Sequence, residues 1–248
     1  MFAICKCVVY TQKFPVRLPV FCKKKLYKRH SGCIIQDNRK GNKALKQELW
    51  KSDYIILRKI PFQESSLIVS GLSPAFGRVD FLLKGVRSRH AKKFPYAGLF
   101  RVIHVEFHEK QHSSSTLYYL KNHHPLQDFD AIAGNLEHYL AVCDYAAFLL
   151  RHTRPMLELP LTFQALLCAL SRLCSGKGTL FDLAAAKLVF LYECGFVPED
   201  PSGDSEKTLN ALLDYALNRD TPPPDFREEY KKKLTGWIET LAGHMQEN

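Results

Sequence analysis

The sequence predicts an α+β protein, with a five-stranded β-barrel followed by an all-α helical domain and preceded by a basic N-terminal extension. Three observations carry this expectation. Short β-branched and aromatic runs, each bounded by turn residues, fill the interval from Tyr54 to Leu120. From Asn135 onward the apolar period changes from that of a strand to that of a helix. The first fifty residues hold 12 Lys and Arg against two acids. The expected units are residues 1–50, 51–125 and 126–248.

Met1 to Tyr10 is apolar but interrupted by Lys6, lacks a basic leading region and is too short to span a bilayer. Its Lys-rich, nearly acid-free character suits an organelle transit peptide, although Arg and Ser are few. The expectation is a disordered, dispensable segment, or an over-extended start that recovery of Met1 from the natural protein would contradict.

The strands follow. Tyr54-Ile55-Ile56-Leu57 precedes Pro61, Leu67-Ile68-Val69 precedes Gly71 and Pro74, and Val79-Asp80-Phe81-Leu82-Leu83 precedes Gly85. In the run from Leu99 to Phe107, Val105 and Phe107 share one face against His104, Glu106 and His108. Thr116-Leu117-Tyr118-Tyr119-Leu120 makes the fifth strand. Five short strands in this length fit an OB-fold-like Greek-key barrel; an SH3-like barrel fits the pattern nearly as well.

Between the third and fourth strands lies Lys84-Gly85-Val86-Arg87-Ser88-Arg89-His90-Ala91-Lys92-Lys93. Long cationic side chains gathered on one loop of a small β-domain suit a phosphate backbone better than a small-molecule pocket. Lys84, Arg87, Arg89, Lys92 and Lys93 are therefore the candidate DNA-binding residues. Arg58, Lys59 and Arg78 extend the track, and Phe94 and Tyr96 are candidates for stacking on unpaired bases.

Five helices are expected. Asn135 caps the first, whose stripe is Leu136, Tyr139, Leu140, Cys143, Ala147 and Leu150. The second carries Phe163, Leu166, Leu167, Leu170 and Cys174. Thr179 and Asp182 form a capping-box pattern at the start of the third, with Gly195 at its end. Leu209, Leu212, Leu213, Ala216 and Leu217 mark the fourth, stopped by Thr221-Pro222-Pro223-Pro224. The last shows Phe226, Tyr230, Leu234, Trp237, Ile238 and Leu241. Helices this apolar on one face must pack on one another.

The net charge of +10 is not spread evenly. It resides wholly in residues 1–50, while residues 51–110 carry +6 and residues 111–248 carry −6. A basic barrel and an acidic helical part should face different partners.

Chemistry-bearing motifs are weak. Cys143, Cys168, Cys174 and Cys194 fall within helical patterns, where free Cys acts as a small apolar residue. Cys5, Cys7, Cys22 and Cys33 lack the paired Cys-x-x-Cys spacing of a zinc ribbon. Gly176-Lys177-Gly178-Thr179 reads as a turn between helices, because Ser171 stands where a phosphate loop needs its first glycine. His123-His124 reads as a pair of solvated loop histidines. No catalytic fingerprint appears, so the expectation is a non-enzymatic protein with no cofactor and no metal. Reduced thiols and the absence of a secretion signal point to the cytoplasm.

Glu64-Ser65-Ser66-Leu67-Ile68-Val69 after Ile60-Pro61-Phe62, the Ser73-Pro74-Ala75-Phe76-Gly77 turn, and the strand ending in Lys84-Gly85-Val86-Arg87 together resemble the N-terminal domain of the bacterial recombination mediator RecO. The resemblance continues through Leu117-Tyr118-Tyr119-Leu120 and more loosely to the last helix. It implies a DNA repair and homologous recombination mediator that binds single- and double-stranded DNA without sequence preference and anneals complementary strands. It further implies a RecR partner, contact with single-stranded-DNA-binding protein and, indirectly, help in loading RecA. No membrane partner is implied.

Two departures from the family stand out. Many members insert a four-cysteine zinc module after the helix that ends here at Cys194-Gly195-Phe196, whereas this chain continues Val197-Pro198-Glu199-Asp200-Pro201-Ser202-Gly203. Some members present a basic side chain from the third helix to the acidic tail of single-stranded-DNA-binding protein; Lys187 is the cation available for that role. The competing expectation is an OB-fold RNA- or ribosome-associated binding protein, separable by preference for RNA or for a particular sequence.

Overall fold

The computed structural model describes residues 48–87, 98–108, 116–197, 204–218 and 220–245. β1 (Leu49–Phe62), β2 (Ser66–Ser73), β3 (Gly77–Leu83), β4 (Val102–His108), β5 (Leu117–Tyr118) and β6 (Leu120–Gln127) form one sheet in the order β5-β3-β2-β1-β4-β6. There are six strands, not the expected five. The single run around Leu117–Leu120 is divided at Tyr119, and its two halves take opposite edges of the sheet. β5 runs parallel to β3, whereas β6 is antiparallel to β4. His123 and His124, expected on a loop, lie inside β6.

β1 shows why its sequence is apolar without alternation. Tyr54 and Ile56 enter a core with Val69, Phe81, Ile103, Val105 and Phe107, while Ile55 and Leu57 point the other way into the helical core. A strand buried on both faces needs no polar face. β1 also begins earlier than expected, and Trp50 stacks on Phe76 with ring centroids 5.0 Å apart. β4 starts at Val102 instead of Leu99. Phe100 adopts φ 59°, its N–H donates to the Ile56 carbonyl, and its ring is buried beside a register shift in β1.

The helices are α1 (Leu136–His152), α2 (Pro160–Cys174), α3 (Leu180–Glu193), α4 (Asp204–Leu217) and α5 (Glu228–His244). Asn135 accepts a hydrogen bond from the His138 N–H, and the Thr179–Asp182 capping box forms as expected. The stripe expected on α1 is met in part: Leu150 is buried and Tyr139 and Cys143 pack against the core. Val142, Tyr145, Ala146, Leu149 and Leu150 are buried, whereas Leu136 and Leu140 are 71% and 53% exposed. Burial on α1 follows the side packed against the sheet and α3. In α2 the expected Phe163, Leu166 and Leu170 are buried.

The sheet and helices share one core, in which Ile55, Leu57, Leu72, Phe100 and Val102 pack with residues of α1, α2 and α3. The Ser73–Gly77 turn docks on the segment between α1 and α2. Met156 N–H donates to the Phe76 carbonyl and Leu159 N–H to that of Pro74. Gly77 has φ 61°, and a Cβ there would sit 2.5 Å from the Leu157 carbonyl oxygen, so only glycine fits.

In the helical part, Arg172 and Asp182 form a buried ion pair at 3.1 Å, and Asp182 also accepts from the Tyr215 hydroxyl at 2.6 Å. The Gly176–Thr179 stretch is a turn between α2 and α3, with Gly176 at φ 70° and the Lys177 and Gly178 N–H groups donating to the Arg172 carbonyl. Cys143, Cys168, Cys174 and Cys194 are free thiols. Burial pushes the thiols of Cys143 and Cys174 up, and that of Cys194 up to about 11. Protonated thiols are poor nucleophiles and poor metal ligands.

Candidate nucleic-acid interface

The turn Lys84–Arg87 follows β3 because Leu83 is the last β3 residue paired with β2, opposite Leu67. Gly85 takes φ 74° and a Cβ there would meet nothing within 4 Å, while Val86 packs against the sheet core. Arg87 fixes it in place. Its N–H donates to the Ser65 carbonyl at 2.9 Å, and its guanidinium reaches the Gln63 carbonyl at 3.4 Å. The tip of the β1–β2 hairpin and the cationic turn are thereby joined side by side, with the Lys84 and Arg87 side chains exposed. Neither cation is paired with a carboxylate among the described contacts, so both retain charge for an external anion.

Tyr119 lies next to this turn. β5 runs beside β3 with Phe81 opposite Tyr118, so the chain reaches Tyr119 alongside the end of β3. Lys84 Nζ stands 5.0 Å from the Tyr119 ring centroid, within the range of a cation–π contact. Tyr118, the preceding residue, packs inward on Phe107 with ring centroids 5.2 Å apart. Tyr119 is left on the outside and 56% exposed. Sequence reasoning missed this residue; the signal was the Tyr118-Tyr119 pair, of which strand alternation buries one and exposes the other.

The other expected site residues divide. Arg58 is exposed on β1 with its guanidinium 3.4 Å from Ser70 Oγ, on the strand that leads to the hairpin tip. Lys59 lines a different recess of ≈ 230 Å³ with Phe100, Asp130 and Tyr139. Arg78 does not join the cationic group. It begins β3 while Lys84 ends it, a separation of roughly 20 Å at the rise of a strand. Its guanidinium donates to the Leu150 carbonyl at 2.9 Å and to Asp80 at 3.2 Å, tying sheet to α1. Arg89, Lys92, Lys93, Phe94 and Tyr96 lie outside the described residues. Lys187 on α3 bonds Glu239 of α5 at 2.6 Å and sits 4.9 Å from the Phe148 ring centroid. An acidic peptide would have to displace that carboxylate.

The face formed by β1, β4 and β6 has a different electrostatic character. Lys51 pairs with Glu106 at 2.6 Å, and that bond holds the Glu106 carboxyl below its ordinary range. Asp53 bonds His104 at 2.9 Å, and His104 stacks on His124 at 4.9 Å. Burial holds His123 below the usual imidazole range, with His124 adding to the effect. The Lys51 charge, spent on Glu106, is not open to a polyanion. No group of three metal-ligating side chains occurs among the described residues, and no described helix is long and apolar enough to cross a membrane.

Residues 47–129 match the family model described as Recombination protein O N terminal. The match begins two residues before β1 and ends two residues after β6, so it spans the whole sheet and the cationic turn. No curated protein matches the chain.

Proposed function

We propose, from the match of residues 47–129 to the Recombination protein O N-terminal family model, that this chain is a DNA repair and recombination mediator. In this reading it binds single- and double-stranded DNA without sequence preference, anneals complementary strands and assists RecA loading with a RecR partner and single-stranded-DNA-binding protein. It acts by binding, without turnover, in the cytoplasm.

The observation that carries this reading is the exposed Lys84–Arg87 turn bonded to the tip of the β1–β2 hairpin. Cations held by backbone bonds on a rigid sheet can meet successive phosphates, releasing counterions and giving affinity independent of sequence. Strand order supports it too. β5 and β6 lie on opposite edges of the sheet and are joined through Tyr119, and we read them as the two halves of one strand of an OB-fold-like barrel. OB-folds place ligands at the loop between the first two strands, which is the loop that holds Arg87.

The test is an annealing assay on complementary oligonucleotides, with binding measured on single strands of unrelated sequence, duplex DNA and RNA. Equal affinity across DNA sequences and accelerated annealing are expected. Strong preference for RNA or for one sequence, or turnover of the nucleic acid, would overturn the proposal.

A further inference from the structure

We infer that Tyr119 is the base-stacking residue of this interface and makes it discriminate unpaired from paired DNA. The inference rests on the reading of the Lys84–Arg87 turn as a phosphate-binding element, and goes further by assigning a contact to the base.

Four features converge on this residue. The ring is 56% exposed, so it is accessible to a partner from outside the sheet. Its backbone is held on both sides, since Tyr118 is in register with Phe81 of β3 and Leu120 with Phe107 of β4. A platform fixed this way loses little freedom when a base settles on it. The position also fits, because Lys84 Nζ lies over the ring, 5.0 Å from its centroid, so a cation and an aromatic surface adjoin. Single-strand binders combine cations that track the backbone with aromatic rings that stack on bases, and Lys84 and Tyr119 bring the two together. Finally, the hydroxyl is not spent on the core, whereas the buried Tyr54 uses its hydroxyl on the Val79 carbonyl at 2.9 Å.

The discrimination follows from the physics of stacking. In a duplex both faces of each base are already covered by neighbouring pairs, and only phosphates are presented to a protein surface. Lys84 and Arg87 contact both forms, but the Tyr119 ring gains a partner from an unpaired base alone. Its contribution should therefore appear in single-strand affinity and not in duplex affinity.

The experiment uses the full chain and two labelled probes, an oligo-dT strand and a duplex of equal length, with affinity read by fluorescence anisotropy at fixed salt. Tyr119→Leu keeps an apolar side chain without a π-face, and Tyr119→Phe keeps the ring. Exposure at this position means that neither substitution removes core packing, and matching thermal melts check this. The expected result is that Tyr119→Leu weakens the single strand by about fivefold to a hundredfold, the range of base–aromatic stacking, and leaves the duplex unchanged. Tyr119→Phe recovers most of the single-strand affinity. Equal losses on both probes, or no loss on either, overturn the inference while leaving the mediator reading intact. A native chain that binds neither probe overturns both.

Discussion

The proposal that the Lys84–Arg87 turn contacts phosphates permits a quantitative test. The perturbation is the double substitution Lys84→Gln and Arg87→Gln, which removes two charges from exposed positions. The backbone bond from Arg87 N–H to Ser65 survives, so the turn keeps its place. Each phosphate contact adds about 0.7 to the steepness of log affinity against log salt for a single strand, so two lost contacts should flatten the slope by about 1.4. Between about 50 and 200 mM salt, that difference makes the native chain lose roughly sevenfold more affinity than the variant. Anisotropy titrations of an oligo-dT probe at several salt concentrations read the slope directly. Arg78→Gln is the control, because its guanidinium is bound to Leu150 and Asp80 at the far end of β3. It should lower stability and leave the salt slope alone. An unchanged slope in the double variant, or an equal change in Arg78→Gln, would refute the placement of the site.

Three further outcomes test the fold that presents this turn. At Gly71 a Cβ would sit 2.0 Å from the Ile55 carbonyl oxygen and 2.6 Å from the Tyr54 ring, so Gly71→Ala should destabilise the chain by about 1–3 kcal/mol as overpacking does; urea denaturation measures it, and a neutral substitution would count against this packing. Asp182→Leu strips the carboxylate from the buried Arg172 guanidinium and from the Tyr215 hydroxyl, and the uncompensated charge should cost about 3–5 kcal/mol in the same assay. Burial holds the imidazoles of His123 and His152 below their ordinary range. The unfolded chain then binds more protons as pH falls through about 6.5, so stability is full above that value and declines toward the folded-state values. Thermal melts from neutral to mildly acidic pH should show the decline, reduced when both histidines are replaced by Gln.

Element identity was legible because it rests on local chemistry. β-Branched runs between turn residues gave most of the strands, and Asn135 and Thr179 marked helix starts through bonds that span three residues. The phase of α1 was legible only in part. Its sequence from Leu136 to Leu150 offers apolar residues on more than one face, and only contact with the sheet and α3 selects Val142, Tyr145 and Leu149 over Leu136 and Leu140. The split of the last strand was hidden for a similar reason. Nothing local to Tyr119 tells that the residues before it pair with β3 and those after it with β4.

The cationic turn followed from composition alone, since Lys84 and Arg87 are near in sequence and any loop keeps them near in space. Arg78 is equally cationic and only six positions from Lys84, yet it became a clasp between sheet and helix. Charge is a property of the residue, whereas availability depends on what the chain brings against it. The sequence determined which groups could meet a phosphate; tertiary pairing decided which ones remained open to do so, and set Tyr119 beside them.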